Sequence, residues 1–258
     1  MTNKTTDGVA EERETISETA ADAKAEKARK RARAQKKYSP AEERLNIITH
    51  IFGAVVCAVF GVVMIVTAAS GVAQGKYGGI AVTGVSCFTA ALVLTYVISA
   101  VYHASPYGSA LRSVMRRFDH CSIALLIAGS YLAYSIVGLI VHGTDQPADT
   151  VWGIVISSVV GLLAVIVIAF NGISVEKFKV FTFIAYIVMG WMIILRVYHL
   201  FLAIGLPAFM LLLGGGIAYT AGTPFYKISK IPFNHAIWHL FVLAGSVLMI
   251  CGVQFYLL

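Results

Sequence analysis

Charge is scarce in this 258-residue chain, and so are the motifs of soluble catalysis. Charged residues make up 13% of it and hydrophobic types 58%, against about 25% and about 45–50% in an ordinary soluble domain. That much apolar surface cannot be hidden in one water-soluble core, which argues against a purely soluble enzyme, a disordered regulator or a DNA-binding module. No Walker-type loop, GxSxG elbow, GxGxxG after a strand or HExxH occurs. The four cysteines, Cys57, Cys87, Cys121 and Cys251, show no CxxC spacing and fall in apolar runs. They are expected to be buried small hydrophobes, not disulfides or metal ligands.

The net charge of +7 belongs to one end of the chain. Eleven of the twenty lysines and arginines lie in residues 1–44, and nine of the thirteen acids lie at or before Glu43. Residues 1–42 are therefore expected to form a basic cytoplasmic tail, disordered or transiently helical. The tail has no apolar core of a signal peptide, and residues 20–37 carry no apolar stripe. Its basic residues either attract anionic lipid headgroups, at about 1 kcal/mol each near the surface, or act only as a topology signal. No nucleic-acid partner is expected.

Residues 43–258 are expected to be an all-α integral membrane domain. Seven runs approach the roughly 20 apolar residues that a bilayer crossing needs: 45–69, 79–103, 118–141, 150–170, 179–197, 203–222 and 233–257. Breakers lie between most of them, at 75–79, 105–108, 146–147, 171–172 and 223–224, while the fifth and sixth runs nearly merge between Arg196 and Pro207. Cytoplasmic loops favour lysine and arginine. With the tail inside, Arg112, Arg116, Arg117, Lys177, Lys179, Lys227 and Lys230 also fall inside, and only Lys76 and Arg196 fall outside. The expectation is a seven-helix bundle with a cytoplasmic N-terminus and an outer C-terminus.

Ionisable groups in a span are costly and mark function by default. His103 closes the second run, Asp119 opens the third, and His235 and His239 open the seventh. The topology puts all four near the inner surface. Residues i and i+4 share a helix face, so His235 and His239 point together, and Ser99 shares a face with His103. Three histidines and a carboxylate suit Zn²⁺, with iron or manganese open. The plainer reading is of histidines at helix ends that hydrogen-bond between helices, with Ser99 a packing group. Asn46, Thr49 and His50 share a face of the first run, where they orient site residues or cap the helix. His120 is turned about 100° from Asp119 and is not expected in the site. His142 and His199 are expected in the outer interface.

Three blocks give the chain a resemblance to the hemolysin III family of the progestin and adipoQ receptor superfamily. They are Glu43-Arg-Leu-Asn46-Ile-Ile-Thr49-His50; Ser99-Ala-Val-Tyr-His103 with Arg117-Phe-Asp119; and His235-Ala-Ile-Trp-His239. The stretch Gly214 to Tyr226 also fits, and the resemblance covers about 42–258. One departure is Leu132-Ala133, where the family often has Thr-Pro, which bears on a local helix kink and not on the metal site. The resemblance implies zinc near the cytoplasmic face of the cell membrane, with His103, His235 and His239 as ligands. It implies Asp119 on the metal or its water, and Ser99 beside that water. The superfamily is similar to alkaline ceramidases in its Ser, Asp and three-His pattern, which implies a zinc-dependent hydrolase of a lipid amide or ester, with membrane lipids as its partners. Asp119 and Ser99 would then be the catalytic pair. A non-catalytic receptor or regulator of membrane lipid state with structural zinc is the alternative, and a pore-forming cytolysin, the reading the family's name suggests, comes third.

Overall fold

The computed structural model describes residues 38–228 and 230–258, together with Asp22, Ala25 and Glu26. The tail expected over 1–42 therefore lies almost wholly outside the described residues. Among those described there are helices and turns and no strand. The helices are α1 (Pro40–Ala73), α2 (Ile80–Ala104), α3 (Ala110–Ala133), α4 (Ala148–Trp191), α5 (Val197–Lys227) and α6 (Asn234–Gly252). A π-helical stretch, Tyr134–Val141, extends α3, and a second, Val253–Leu257, extends α6. The helix thus departs from α geometry one residue beyond Leu132-Ala133 without any proline there.

Five helical stretches among the described residues are long and apolar enough to cross a bilayer: Pro40–Ala73, Ile80–Ala104, Ala110–Val141, Ala148–Tyr226 and Asn234–Leu257. The fourth, of 79 residues, folds back twice. Ser174 is extended (φ −164°, ψ 111°) within α4, and the Arg196 guanidinium lies 2.9 Å from Asp149, a pair that a straight helix would hold roughly 70 Å apart. The first reversal comes at Ser174, just beyond the expected breaker at 171–172. Gly205 (φ 73°, ψ 169°) makes the second inside α5, a left-handed region that glycine enters at little cost. Trp191 on one side of it donates to Thr220 on the other at 3.1 Å.

Helix α1 shows how the bundle separates core from surroundings. Its inward face is Glu43, Asn46, His50, Gly53, Cys57, Gly61 and Met64, recurring every three or four residues. Its outward face exposes Ile48, Ile51, Phe52, Val55, Val59, Val62 and Val66. Such a continuous apolar band has no place in water and suits acyl chains. The chain is an integral membrane protein. Gly53 lets α2 approach closely, because a Cβ there would meet the Tyr96 ring at 2.5 Å. One core packs Met64, Phe88, Leu92, Tyr96, Leu200 and Ile250 between helices, and a second gathers Ile156, Val160, Val167 and Met189 of α4 against α3. The cysteines correct the sequence expectation: Cys57 is buried, but Cys121 and Cys251 are partly exposed and Cys87 is exposed, where a small thiol also suits a lipid-facing position.

Candidate metal centre

Local structure brings the site together from three helices. Ser39 and Glu42 form a capping box at the start of α1, with Pro40 in the first turn. Glu42 also accepts a hydrogen bond from the Phe233 backbone N–H at 3.1 Å, joining the start of α1 to the residue that opens α6. Phe233 itself is in the left-handed region (φ 56°). Helix α2 ends one residue after His103, where the chain turns through Ser105 and Pro106. His235 and His239 lie in the first turns of α6 on one face.

Their imidazoles converge. One donor atom from each of His103, His235 and His239 lies within 4.8 Å of the other two, and all three side chains are buried. His103 Nε2 stands 3.2 Å from His235 Nε2. Tetrahedral zinc with Zn–N bonds of 2.0–2.1 Å would hold two such nitrogens about 3.3–3.4 Å apart, so the spacing fits the ion. Donor chemistry fits as well. The Glu43 carboxylate lies 2.6 Å from His103 Nδ1 and can only accept, so the ring proton sits on Nδ1 and Nε2 carries a lone pair. The Thr49 hydroxyl donates to the Leu45 or Asn46 carbonyl at 2.9 or 3.0 Å. It therefore accepts from His239 Nδ1 at 3.2 Å, which leaves His239 Nε2 as a second lone-pair donor. A carboxylate or hydroxyl that fixes the far side of a metal-binding imidazole in this way is the usual support of such a ligand.

Glu43 is the centre of this support. Its other oxygen accepts from Tyr107 and from the buried Arg112 guanidinium. Burial, followed by the neighbouring carboxylate, pushes the Tyr107 phenol up to about 12, so it stays protonated and donates. Arg112 also donates to the Ser105 carbonyl at 2.6 Å and lies over the Tyr107 ring at 3.9 Å. Expected from the sequence as a loop charge, Arg112 lies in the first turn of α3, is only 3% exposed and is paired with Glu43. In the sequence Glu43 stands out only as a carboxylate at a span boundary, seven residues before His50.

Asp119 and Ser99 line the same cavity as His235 and His239. The close cluster of donor atoms comprises the three imidazoles and does not include Asp119. His120 lines the cavity too, outside that cluster, and its carbonyl accepts from Tyr186 at 2.5 Å. Much of the remaining wall is apolar, including Ile123, Leu126, Ile127, Val175, Phe183 and Ile187. Around the start of α4, Asp145, Asp149 and His199 form a second group of potential ligands, but Arg196 bonds both carboxylates, at 2.7 and 2.9 Å, and offsets one of their two charges. His142 there lies 2.8 Å from the Leu257 carbonyl.

The family model for Haemolysin-III related proteins matches residues 38–250, a segment that holds every residue of the centre. The chain belongs to the haemolysin III family. It is 35% identical to Hemolysin-3 of Bacillus cereus over 217 residues, covering 84% of this chain and 92% of that protein. Hemolysin-3 homolog of Bacillus subtilis (strain 168) is 34% identical over 216 residues, covering 83% and 94%. The human Monocyte to macrophage differentiation factor is 30% identical over 172 residues, 64% of this chain and 67% of that one, and it fits the wider progestin and adipoQ receptor superfamily. In this haemolysin III family member the three motif blocks occupy one end of the bundle: Glu43 to His50 on α1, Ser99 and His103 on α2 with Asp119 on α3, and His235 and His239 on α6.

Proposed function

We propose that this chain is a zinc-dependent membrane hydrolase of a lipid amide or ester bond, working near the cytoplasmic face of the cell membrane. The observation that carries the reading is the buried three-imidazole cluster beside a cavity that His235, His239, Asp119 and Ser99 line together with mostly apolar side chains. When bound there, zinc would lower the pKa of coordinated water towards 7 and polarise a carbonyl. His103, His235 and His239 would hold the ion, and Glu43 and Thr49 hold two of those imidazoles in the right tautomer. Asp119 takes a proton as general base, and Ser99 donates to the oxygen that gains charge, a role that typically contributes about 10²–10³ in rate. The apolar wall takes the acyl chain and excludes water from it.

The chain crosses the bilayer seven times in this reading, with the N-terminal tail inside and the C-terminus outside. Support for the count comes from the reversals at Ser174 and Gly205, which divide the longest helical stretch into three legs. The distribution of lysine and arginine supports the orientation, and the tail's basic charge favours contact with anionic headgroups.

The test is fatty-acid release by purified protein from a broad panel of ceramides, phospholipids and acylglycerols, with metal content measured on the same samples. Release that a chelator abolishes and zinc restores is the expected result. Stoichiometric metal with no release from any lipid would reject the hydrolase and leave zinc as a structural clamp in a regulator.

A further inference from the structure

His50 has no part in the reading above, yet it is built into the same wall. It lies on α1 one residue beyond Thr49, is 4% exposed, and lines the cavity shared with Ser99, Asp119, His235 and His239. Its ring centroid is 3.8 Å from that of His239, edge to face, and 6.3 Å from that of His103. It nevertheless stands outside the cluster of converging donor atoms. Neither of its ring nitrogens has a hydrogen-bond partner among the described residues.

A neutral imidazole carries one donor and one acceptor, and leaving both unmet in a buried position is costly. Packing alone would be served as well by phenylalanine. Two polar neighbours are already engaged: the Tyr96 hydroxyl donates to Ser246 at 2.8 Å, and the Thr49 hydroxyl serves its own helix and His239; Asn46 Oδ1, one turn back on the same face, is also without a partner among the described residues. The ring also lines the cavity, the side from which an occupant can reach it.

We propose that His50 is a ligand-binding residue, whose imidazole hydrogen-bonds an oxygen group seated beside the three clustered histidines. The ligand class is one whose oxygen group can donate or accept at one ring nitrogen, such as a hydroxyl, a carboxylic acid or a hydroxamate. This rests on the metal-centre reading, and the experiment separates the two.

Full-length protein is purified in detergent, loaded with Co²⁺ and titrated with acetohydroxamate, with binding read from the cobalt absorption bands. Wild type, His50→Phe and His50→Gln each retain stoichiometric cobalt. His50→Phe binds the hydroxamate about tenfold more weakly, the effect of one lost hydrogen bond, while His50→Gln, which keeps a donor and an acceptor, stays closer to wild type. Wild type without cobalt removes the metal centre and this assignment with it. Cobalt-loaded wild type that ignores hydroxamate, or His50→Phe binding it as wild type does, overturns the role of His50 alone. So do equal losses in both variants, which would mark volume and not hydrogen bonding, and loss of cobalt from His50→Phe, which would place His50 in the metal scaffold.

Discussion

Glu43 accepts a hydrogen bond from His103 Nδ1 at 2.6 Å across 60 residues of sequence. The same carboxylate neutralises the buried Arg112, so one side chain orients a metal-binding imidazole and joins α1 to the start of α3. Removing its charge therefore has two separable effects. Glu43→Gln is expected to lower thermal stability in detergent, by about 3–5 kcal/mol if Arg112 is left unpaired. Metal affinity should fall by about 10–100-fold. A melting curve and a competitive metal titration check each; unchanged metal affinity with lowered stability would mean that Glu43 serves Arg112 alone.

His103→Ala and His235→Ala each remove one of three donors and are expected to leave the purified protein without stoichiometric metal, measured by elemental analysis beside wild type. Chelation should lower the wild-type melting temperature, because an ion that binds only the folded state stabilises it by mass action, and should leave both variants unmoved. A wild-type melt indifferent to chelator would remove zinc from the account.

Arg196 closes the first reversal of the long helical stretch by pairing with Asp145 and Asp149, the latter fully buried. Arg196→Met leaves the Asp149 carboxylate buried without its counter-ion and should cost about 3–5 kcal/mol, read by thermal or denaturant unfolding. Metal content should stay at the wild-type value, since this cluster is separate from the three imidazoles. A drop in bound metal would show that the two ends are coupled.

Phe233 holds φ at 56° immediately before the helix that carries His235 and His239. A β-branched side chain tolerates that region badly, whereas glycine enters it freely. Phe233→Val should be less stable than Phe233→Gly by about 1–2 kcal/mol. Equal melting temperatures for the two variants would mean that the turn relaxes without cost.

Much of this could be read from the residues, and the misreadings have physical causes. His235 and His239 are four apart on one helix, so their common direction follows from helical geometry. His103 joined them because charge patterning set the direction of each span. The role of Arg112 is not legible because an arginine at a span boundary has the same sequence signature whether it is hydrated or buried on a carboxylate. Cys87 was misplaced because an apolar run does not say which of its faces meets lipid.

The amino-acid sequence by itself determined that this chain is an apolar helical membrane protein, because composition and run length depend on no distant contact. It also named the three histidines. Only the tertiary structure decided that Glu43 and Thr49 reach back to fix two of those imidazoles, that Asp119 stands outside their cluster, and that His50 sits edge-on to His239 with both nitrogens unmet. The contacts among these join residues 60 to 190 positions apart, and helical periodicity carries no information across such distances until the helices pack.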